Sequence, residues 1–344
     1  MTAAGAPTLV AATLEEYGAR TRAALQSYLP AREPRRYLYD LLADYPRRAG
    51  KMMRPSLCIA TARAFGARLE DALGTAVAIE LLHNALLIHD DIEDGSTERR
   101  GRPTLHVLHG VPLAINAGSM LSLISLRPLI ENAGTMGPRL SFRILEETER
   151  MARESAEGQA MELGWRRDNS PDVDEAAYLE MVLKKTCWLA TIYPSRVGAL
   201  IGTGGRIPLE PFIRFGFFVG AAFQIQDDLL NLVGDERYGK ERDGDLWEGK
   251  RTLMLIRLFQ QSTVVERERL SDTLRRPREE RSAEDVRWIR ERMDAYGCID
   301  YARQIAHGLA GAARHEYALL YGELPDSRDK RFIEELVTWV FDRT

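Results

Sequence analysis

Glu80-Leu81-Leu82-His83-Asn84-Ala85-Leu86-Leu87-Ile88-His89-Asp90-Asp91-Ile92-Glu93-Asp94 is an apolar run that ends in three aspartates and a glutamate. Its apolar residues recur at three- and four-residue intervals, the period of a helix with one buried face. On such a helix Asp90 and Asp94 lie four residues apart and share a face, so both carboxylates reach into one cleft. An acidic cluster can also serve only to solvate a surface. A second cluster decides between the two.

That second cluster is Phe223-Gln224-Ile225-Gln226-Asp227-Asp228-Leu229-Leu230-Asn231, again preceded by an apolar run, here Phe215 to Phe223. Two such helices facing each other bring oxygen ligands together from both walls. Carboxylates without accompanying cysteines suit Mg²⁺, which binds through one or two carboxylates together with substrate phosphates and waters. The substrate therefore carries a diphosphate. Cations stand where such a group needs them: Arg99 and Arg100 after the first cluster, Lys240 and Lys250 after the second, Lys185 with Thr186 in mid-helix, and Lys51 with Arg54 farther upstream. Arginine forks match phosphate oxygens, and lysine adds a point charge.

From Lys51 onward helical periodicity fills almost the whole chain, in blocks at 54–65, 70–93, 111–132, 139–165, 174–202, 208–233, 250–261, 284–296, 299–321 and 328–341. Alternating strand patterns are absent, and Gly and Pro fall between the blocks. These features predict an all-α fold, a large antiparallel helical bundle around a central cavity. No linker or repeat divides the 344 residues, so one domain is expected: a helical N-terminal segment over 1–48 and a catalytic core over 49–344. Charged residues from Glu266 to Asp285 mark a solvent-facing excursion.

A net charge of −4 argues against a broadly basic nucleic-acid surface, so no nucleic-acid partner is expected. Cys58, Cys187 and Cys298 follow no disulfide or metal spacing and fit a reducing compartment. The N-terminus lacks the basic and apolar regions of a secretory signal, which makes the cytoplasm the expected location. Pro103 to Leu126 carries no charged residue but is broken by Gly110 and Pro112. It reads as two short buried helices joined by a turn, not as an integral membrane segment.

Taken together, several motifs resemble the trans-isoprenyl diphosphate synthases, the polyprenyl synthetase family that includes farnesyl and geranylgeranyl diphosphate synthases. They are Lys51 to Pro55, Glu80 with His83, His89 to Asp94 followed by Arg99, Arg100, Pro103 and Thr104, then Lys185-Thr186, Phe223 to Asp228, Gly239-Lys240, and Gly244 to Thr252. The resemblance implies an isoprenoid synthase fold and a prenyltransferase that joins isopentenyl diphosphate to an allylic prenyl diphosphate. It implies three Mg²⁺ ions held by Asp90, Asp94 and Asp227, with Asp91 and Asp228 in support. Arg99, Lys185 and Lys250 would grip the allylic diphosphate, with Lys240 close by, and stabilise the leaving group as the C1–O bond ionises. Isopentenyl diphosphate would sit on Lys51, Arg54, His83 and Arg100. Thr186, Gln224 and the ring of Phe223 would stabilise the passing cation. A homodimer through helices in the 111–165 region is also implied. His89 is expected to orient a carboxylate, and His106 and His109 to be structural.

The chain departs from the family pattern at Met52, where a basic residue is usual, and at Ser119, Glu162 and Asn231, where Asp is common. In short-chain members aromatic residues below the first aspartate form a floor. Here Ala85 and Leu86 stand there, about 7.5 Å deeper at roughly 1.5 Å per residue. A deeper floor is expected from Leu82 and residues 120–125. This predicts the C20 product, geranylgeranyl diphosphate, with C15 or C25 and longer as alternatives. A class I terpene cyclase would not need the four isopentenyl diphosphate residues, and a non-catalytic partner subunit would be expected to lose one acidic cluster.

Overall fold

The computed structural model describes residues 8–48, 50–234 and 243–341; Lys240 and the first seven residues lie outside them. Helix α1, Leu9–Leu25, starts at Thr8, whose hydroxyl accepts the amide of Ala11, and α2 spans Met53–Ala64. The acidic stretch closes α3, Leu69–Asp94, whose start is fixed by a capping box between Arg68 and Asp71 and whose end is Gly95 at φ 65°. Helices α4 (Val111–Ile124), α5 (Leu126–Met136) and α6 (Pro138–Arg167) follow. The second acidic cluster ends α9, Pro211–Val233.

Between α6 and α9 lies the longest departure from the expected pattern. The 174–202 block is one continuous rod, but only α7 (Glu175–Val182) and α8 (Tyr193–Thr203) are α-helical. Leu183–Ile192 is a π-helix, and Lys185 and Thr186 lie in it. Widened turns of this kind recur at functional sites. Glycines on both neighbours let it pack closely. A Cβ on Gly158 of α6 would stand 2.8 Å from Lys185 Cα, and one on Gly216 of α9 would stand 2.8 Å from Ile192 Cα. Periodicity reports that a helix is apolar on one side, not how many residues it takes per turn.

Small elements complete the frame. Glu98–Arg99 (β1) pairs antiparallel with Arg102–Pro103 (β2), a hairpin too short for an alternating pattern to announce. Arg100 and Gly101 form its tip at φ 55° and 70°, the positive values a two-residue hairpin turn needs. After α9 come α10 (Gly244–Glu248), α11 (Leu253–Gln261), α12 (Val264–Arg275), α13 (Ala283–Ala295), α14 (Cys298–Tyr321) and α15 (Arg328–Phe341). The excursion over 266–285 therefore includes the helix α12.

The main core includes Leu57, Ile79, Met151, Leu200, Phe215, Leu255 and Tyr321, so helices from both ends of the chain share one core. A second cluster, with Tyr45, Ala85, Ile88 and Leu121, packs α4 and the segment before α2 onto the back of α3. Among the described residues two stretches are long and apolar enough to cross a membrane, Leu69–Asp94 and Val111–Met136; the apolar window of the first is 72% buried and that of the second 39%. Helix α4 is thus less buried than its composition suggests: Val111, Ile115 and Leu123 are exposed, with Ile130 and Phe142 beyond them.

The close approach at Gly158 is testable by paired substitutions. Gly158→Ala should lower stability by about 1–3 kcal/mol in urea unfolding, because it overpacks a tight contact. Gly308→Ala, in an open position on α14, should raise it by about 0.5–1 kcal/mol through lower unfolded-state entropy. Equal effects at the two sites would show that the contact does not constrain the π-helix.

Candidate functional site

A cavity of about 850 Å³ opens between α3, α6, the π-helix and α9. Asp90 lines it from α3, Asp227 and Asp228 from α9, and Lys185, Thr186 and Lys250 complete the same wall. Both acidic clusters occupy the C-terminal ends of their helices, and neither helix has a basic residue in its last turn. The carbonyl ends already carry partial negative charge, so each carboxylate there raises the demand for cations.

Those cations arrive from other elements. The Lys185 ammonium lies 2.5 Å from Glu162 Oε2 and 3.4 Å from Asp90 Oδ1. Burial works against its charge, but Glu162 and Asp90 outweigh it and raise the pKa. Arg99 contacts Asp91 at 2.5 Å and Asp90 at 3.4 Å. Asp91 is fully buried, receives the Tyr45 hydroxyl as well, and does not line the cavity. Burial pushes its carboxyl up while Arg99 pulls it down. Its place is behind Arg99, as a supporting group.

Asp94 also stands off the main cavity. Its Oδ1 is 2.5 Å from Arg166 Nη1 and its Oδ2 is 2.8 Å from Lys250 Nζ. Lys250 further contacts Glu248 at 2.7 Å. Asp94 is therefore not poised beside Asp90 and Asp227 but engaged in a buried ion-pair network.

On α9 a hydrogen-bond chain runs from Thr186 to Gln224 (2.8 Å) to Asp228 (2.7 Å), which also receives the Tyr178 hydroxyl at 2.9 Å. Burial, with the Asp245 charge adding to it, pushes the Asp228 carboxyl up to about 8. Asn231 faces elsewhere: its Oδ1 accepts the Asp245 amide at 3.1 Å. It thus fixes the start of α10 and, through it, the approach of Lys250.

The second set of cations shares the cavity. Lys51, Arg54, His83 and Arg100 all line it, beside Trp339 of α15. Lys51 Nζ stands 5.7 Å from the Trp339 ring centroid. Arg100 donates to the Arg48 carbonyl at 2.8 Å. Burial, then repulsion from Arg54 and Arg100, drives the His83 pKa well below its ordinary value, so the imidazole is neutral. Met52 is buried at φ 54°, close against Gly18 of α1.

The expected chain-length positions divide. Leu86 lines the cavity, beside Leu87, Ala152, Ser155, Ala156 and Leu189. Ala85 does not; it belongs to the cluster between α3 and α4. A one-residue step turns a helical side chain by about 100°, which carries Ala85 to the other face. Leu82 and residues 120–125 are likewise absent from the cavity wall. His89 packs against Gly118, where a Cβ would meet its Nε2 at 2.5 Å. Ser119 is exposed on α4.

Sequence reasoning missed the residues that hold these groups in place. Arg48 is buried under the hairpin and donates to the carbonyls of Arg99 (3.0 Å), Arg102 (3.3 Å) and Pro103 (2.7 Å), so it sets the direction of Arg99 and Arg100. Tyr45, Tyr178, Arg166 and Trp339 act similarly from remote positions. Nothing local in the sequence distinguishes Arg48 from Arg47, or Arg166 from Arg167.

Among the described residues no group of three His, Cys, Asp or Glu side chains could hold a metal ion by itself. Asp90 and Asp227 instead offer carboxylates on facing helices that line one cavity. This all-oxygen, incomplete donor set fits Mg²⁺, which takes its remaining ligands from phosphate and water.

Comparison with known proteins agrees with this architecture. Residues 35–293 match the polyprenyl synthetase family. The chain is 35% identical over 281 residues to a short chain isoprenyl diphosphate synthase of Methanothermobacter thermautotrophicus, covering 81% of this chain and 83% of that one. It is 31% identical over 319 residues to a geranylgeranyl pyrophosphate synthase of Geoglobus acetivorans, covering 93% and 94%. The crystal structure of geranylgeranyl pyrophosphate synthetase from Pyrococcus horikoshii superposes with a TM-score of 0.86 at 31% identity, covering 97% and 98%.

The neutral, buried state of His83 has a measurable cost. Its folded pKa is depressed, whereas the unfolded value is about 6.5. Below that pH the unfolded chain binds a proton that the folded chain does not, so stability falls on acidification by up to about 1.4 kcal/mol per pH unit. Urea unfolding between pH 6.5 and 5.5 should show His83→Gln losing less stability than the parent protein, by about 1 kcal/mol. Parallel losses would contradict the assignment.

Proposed function

Because the chain belongs to the polyprenyl synthetase family, we propose that it condenses isopentenyl diphosphate with an allylic prenyl diphosphate and releases mainly geranylgeranyl diphosphate. The observation that carries this reading is one cavity lined at once by Lys51, Arg54, His83 and Arg100 and by Asp90, Lys185, Asp227 and Lys250. Two diphosphates need two separate sets of cations. A cavity for ionisation alone would need one.

In this reading Asp90 and Asp227 would hold Mg²⁺, and Asp94 would be a further ligand on exchange of its ion pairs with Arg166 and Lys250. When bound, the metal neutralises charge on the allylic diphosphate and so favours its departure. Lys185, Arg99 and Lys250 hold the same group and keep it beside the cavity wall as negative charge grows on it. Lys51, Arg54 and Arg100 fix isopentenyl diphosphate, and neutral His83 donates or accepts a hydrogen bond without adding a repelling charge. The Thr186 and Gln224 oxygens and the Phe223 ring face the allylic carbons and stabilise their positive charge. Lys240 is placed with the allylic group on the resemblance of its motif alone.

Product length follows from the wall below Asp90. Leu86, Ala152, Ser155, Ala156 and Leu189 are apolar or small and leave room for a growing chain. Leu86 becomes the main selector on α3, and Ala85 drops out of that role. The relatives named above include geranylgeranyl synthases, which supports the C20 product over C15 or C25.

We also assign a homodimer, formed by the exposed apolar side chains Ile115, Leu123, Ile130 and Phe142 on α4 to α6. Four large apolar side chains left exposed on three consecutive helices are what a second copy would cover. The same reading places the protein in the cytoplasm, as a soluble enzyme supplied with both diphosphates.

Purified protein with Mg²⁺, isopentenyl diphosphate and dimethylallyl, geranyl or farnesyl diphosphate should give a dominant C20 alcohol after dephosphorylation. Leu86→Phe should shift the product to C15, EDTA should abolish turnover, and Asp90→Ala should lower it at least a hundredfold. A dominant C15 product from the parent protein, or turnover untouched by Asp90→Ala, would overturn the assignment.

A further inference from the structure

Behind Asp94, on the side away from the main cavity, lies a second pocket of about 260 Å³. Among the described residues, five that line it are Arg166, Arg275, Arg276, Arg278 and Arg281, and the acidic ones that line it are Asp94 and Glu248. Both carboxylates are also claimed by Lys250 from the other side, at 2.8 and 2.7 Å. At the rim Asp272 contacts Arg275 at 2.7 Å and Asp285 contacts Arg276 at 3.0 Å. Among the described residues five arginines thus face two carboxylates across the pocket lining.

Arg281 shows this excess most directly. Its Nη1 and Nη2 donate to the carbonyls of Leu246, Trp247 and Leu274, all uncharged acceptors. Its Nε is buried without a hydrogen-bond partner. Burial, then repulsion from Arg166, Arg276 and Arg278, lowers the Arg281 pKa. Burial with repulsion from Arg281 and Arg166 lowers that of Arg251 to about 10. Guanidinium groups assembled this closely repel one another unless an anion stands between them.

We propose that this pocket binds a phosphate or diphosphate anion through Arg276, Arg278 and Arg281, separately from the cavity that holds the substrates. Planar guanidinium forks are the side chains that fit phosphate oxygens in pairs. The volume is several times the roughly 30 Å³ share of one liquid water, enough for such an anion. It is linked to the main site through Lys250, whose partners Asp94 and Glu248 are also reached by Arg166 at 2.5 Å and Arg278 at 3.6 Å. An anion that draws these arginines toward itself loosens the network around Asp94 and Lys250. That last consequence rests on the catalytic reading above; the binding itself does not.

Two tryptophans separate the sites spectroscopically, since Trp247 lines the arginine pocket and Trp339 the main cavity. The protein labelled with 5-fluorotryptophan is titrated with inorganic diphosphate in EDTA, and the ¹⁹F resonances are assigned with Trp247→Phe and Trp339→Phe. The Trp247 resonance should shift saturably, and in Arg276→Gln/Arg278→Gln its midpoint should rise at least tenfold. The Trp339 resonance should respond equally in both proteins, which also certifies that the double variant is folded. A Trp247 resonance that does not move, or that moves with the same midpoint in the double variant, would overturn the proposal. A responding Trp247 beside a silent Trp339 would support it and count instead against a diphosphate site in the main cavity.

Discussion

Two helices end in clusters of carboxylates, and cations brought from other elements compensate the charge of the first. Helix macrodipoles place partial negative charge at C-termini, where acidic side chains are destabilising by about 0.3–1 kcal/mol each. The chain nevertheless puts Asp90, Asp91 and Asp94 at the end of α3 and Asp227 and Asp228 at the end of α9. Arg99, Arg166, Lys185 and Lys250 hold the α3 aspartates in ion pairs. Such pairs are costly to desolvate and add little net stability. In the proposed function their value lies in exchange: the arrangement that holds the α3 carboxylates would release them to metal and release the cations to a diphosphate.

Exchange requires that the cations be fixed from behind. The π-helix brings Lys185 against α6, where Gly158 permits the contact with Glu162. Glutamate in place of the family's more common aspartate still reaches Lys185, so this departure preserves the pair. Arg48 holds the hairpin, and the hairpin aims Arg99 and Arg100. Asn231 holds the start of α10 and so sets the approach of Lys250. Its amide can both accept from a backbone amide and remain neutral beside two aspartates. The loss of an acidic group there is therefore compatible with the site.

Much of this was legible in the sequence because helical periodicity and clustered charge are local signals. The blocks at 70–93, 208–233, 299–321 and 328–341 match α3, α9, α14 and α15 to within a few residues. The cavity lining brings together Asp90, Lys185, Asp227, Lys51 and His83 as their motifs imply. The failures are of three physical kinds. Ala85 was assigned to the cavity by counting back from Asp90, but a helix face is set by angle, and Leu86 occupies it. The shared helix face of Asp90 and Asp94 does not disclose that Asp94 is paired with Arg166 and Lys250, which lie 72 and 156 residues away. The π-helix and the hairpin left no periodic trace because one keeps the apolar face of an α-helix and the other is two residues per strand.

The proposed chemistry requires that the carboxylate ends of α3 and α9 hold one metal-bound diphosphate between them. A crystal structure with Mg²⁺ and a thiolo analogue of geranyl diphosphate tests this most directly. The expected result is metal bridging Asp90 and Asp227 to the diphosphate, Lys185 on the same oxygens, and Asp94 parted from Arg166 or Lys250. A diphosphate bound away from these helices, or metal seated without Asp90 and Asp227, would contradict it.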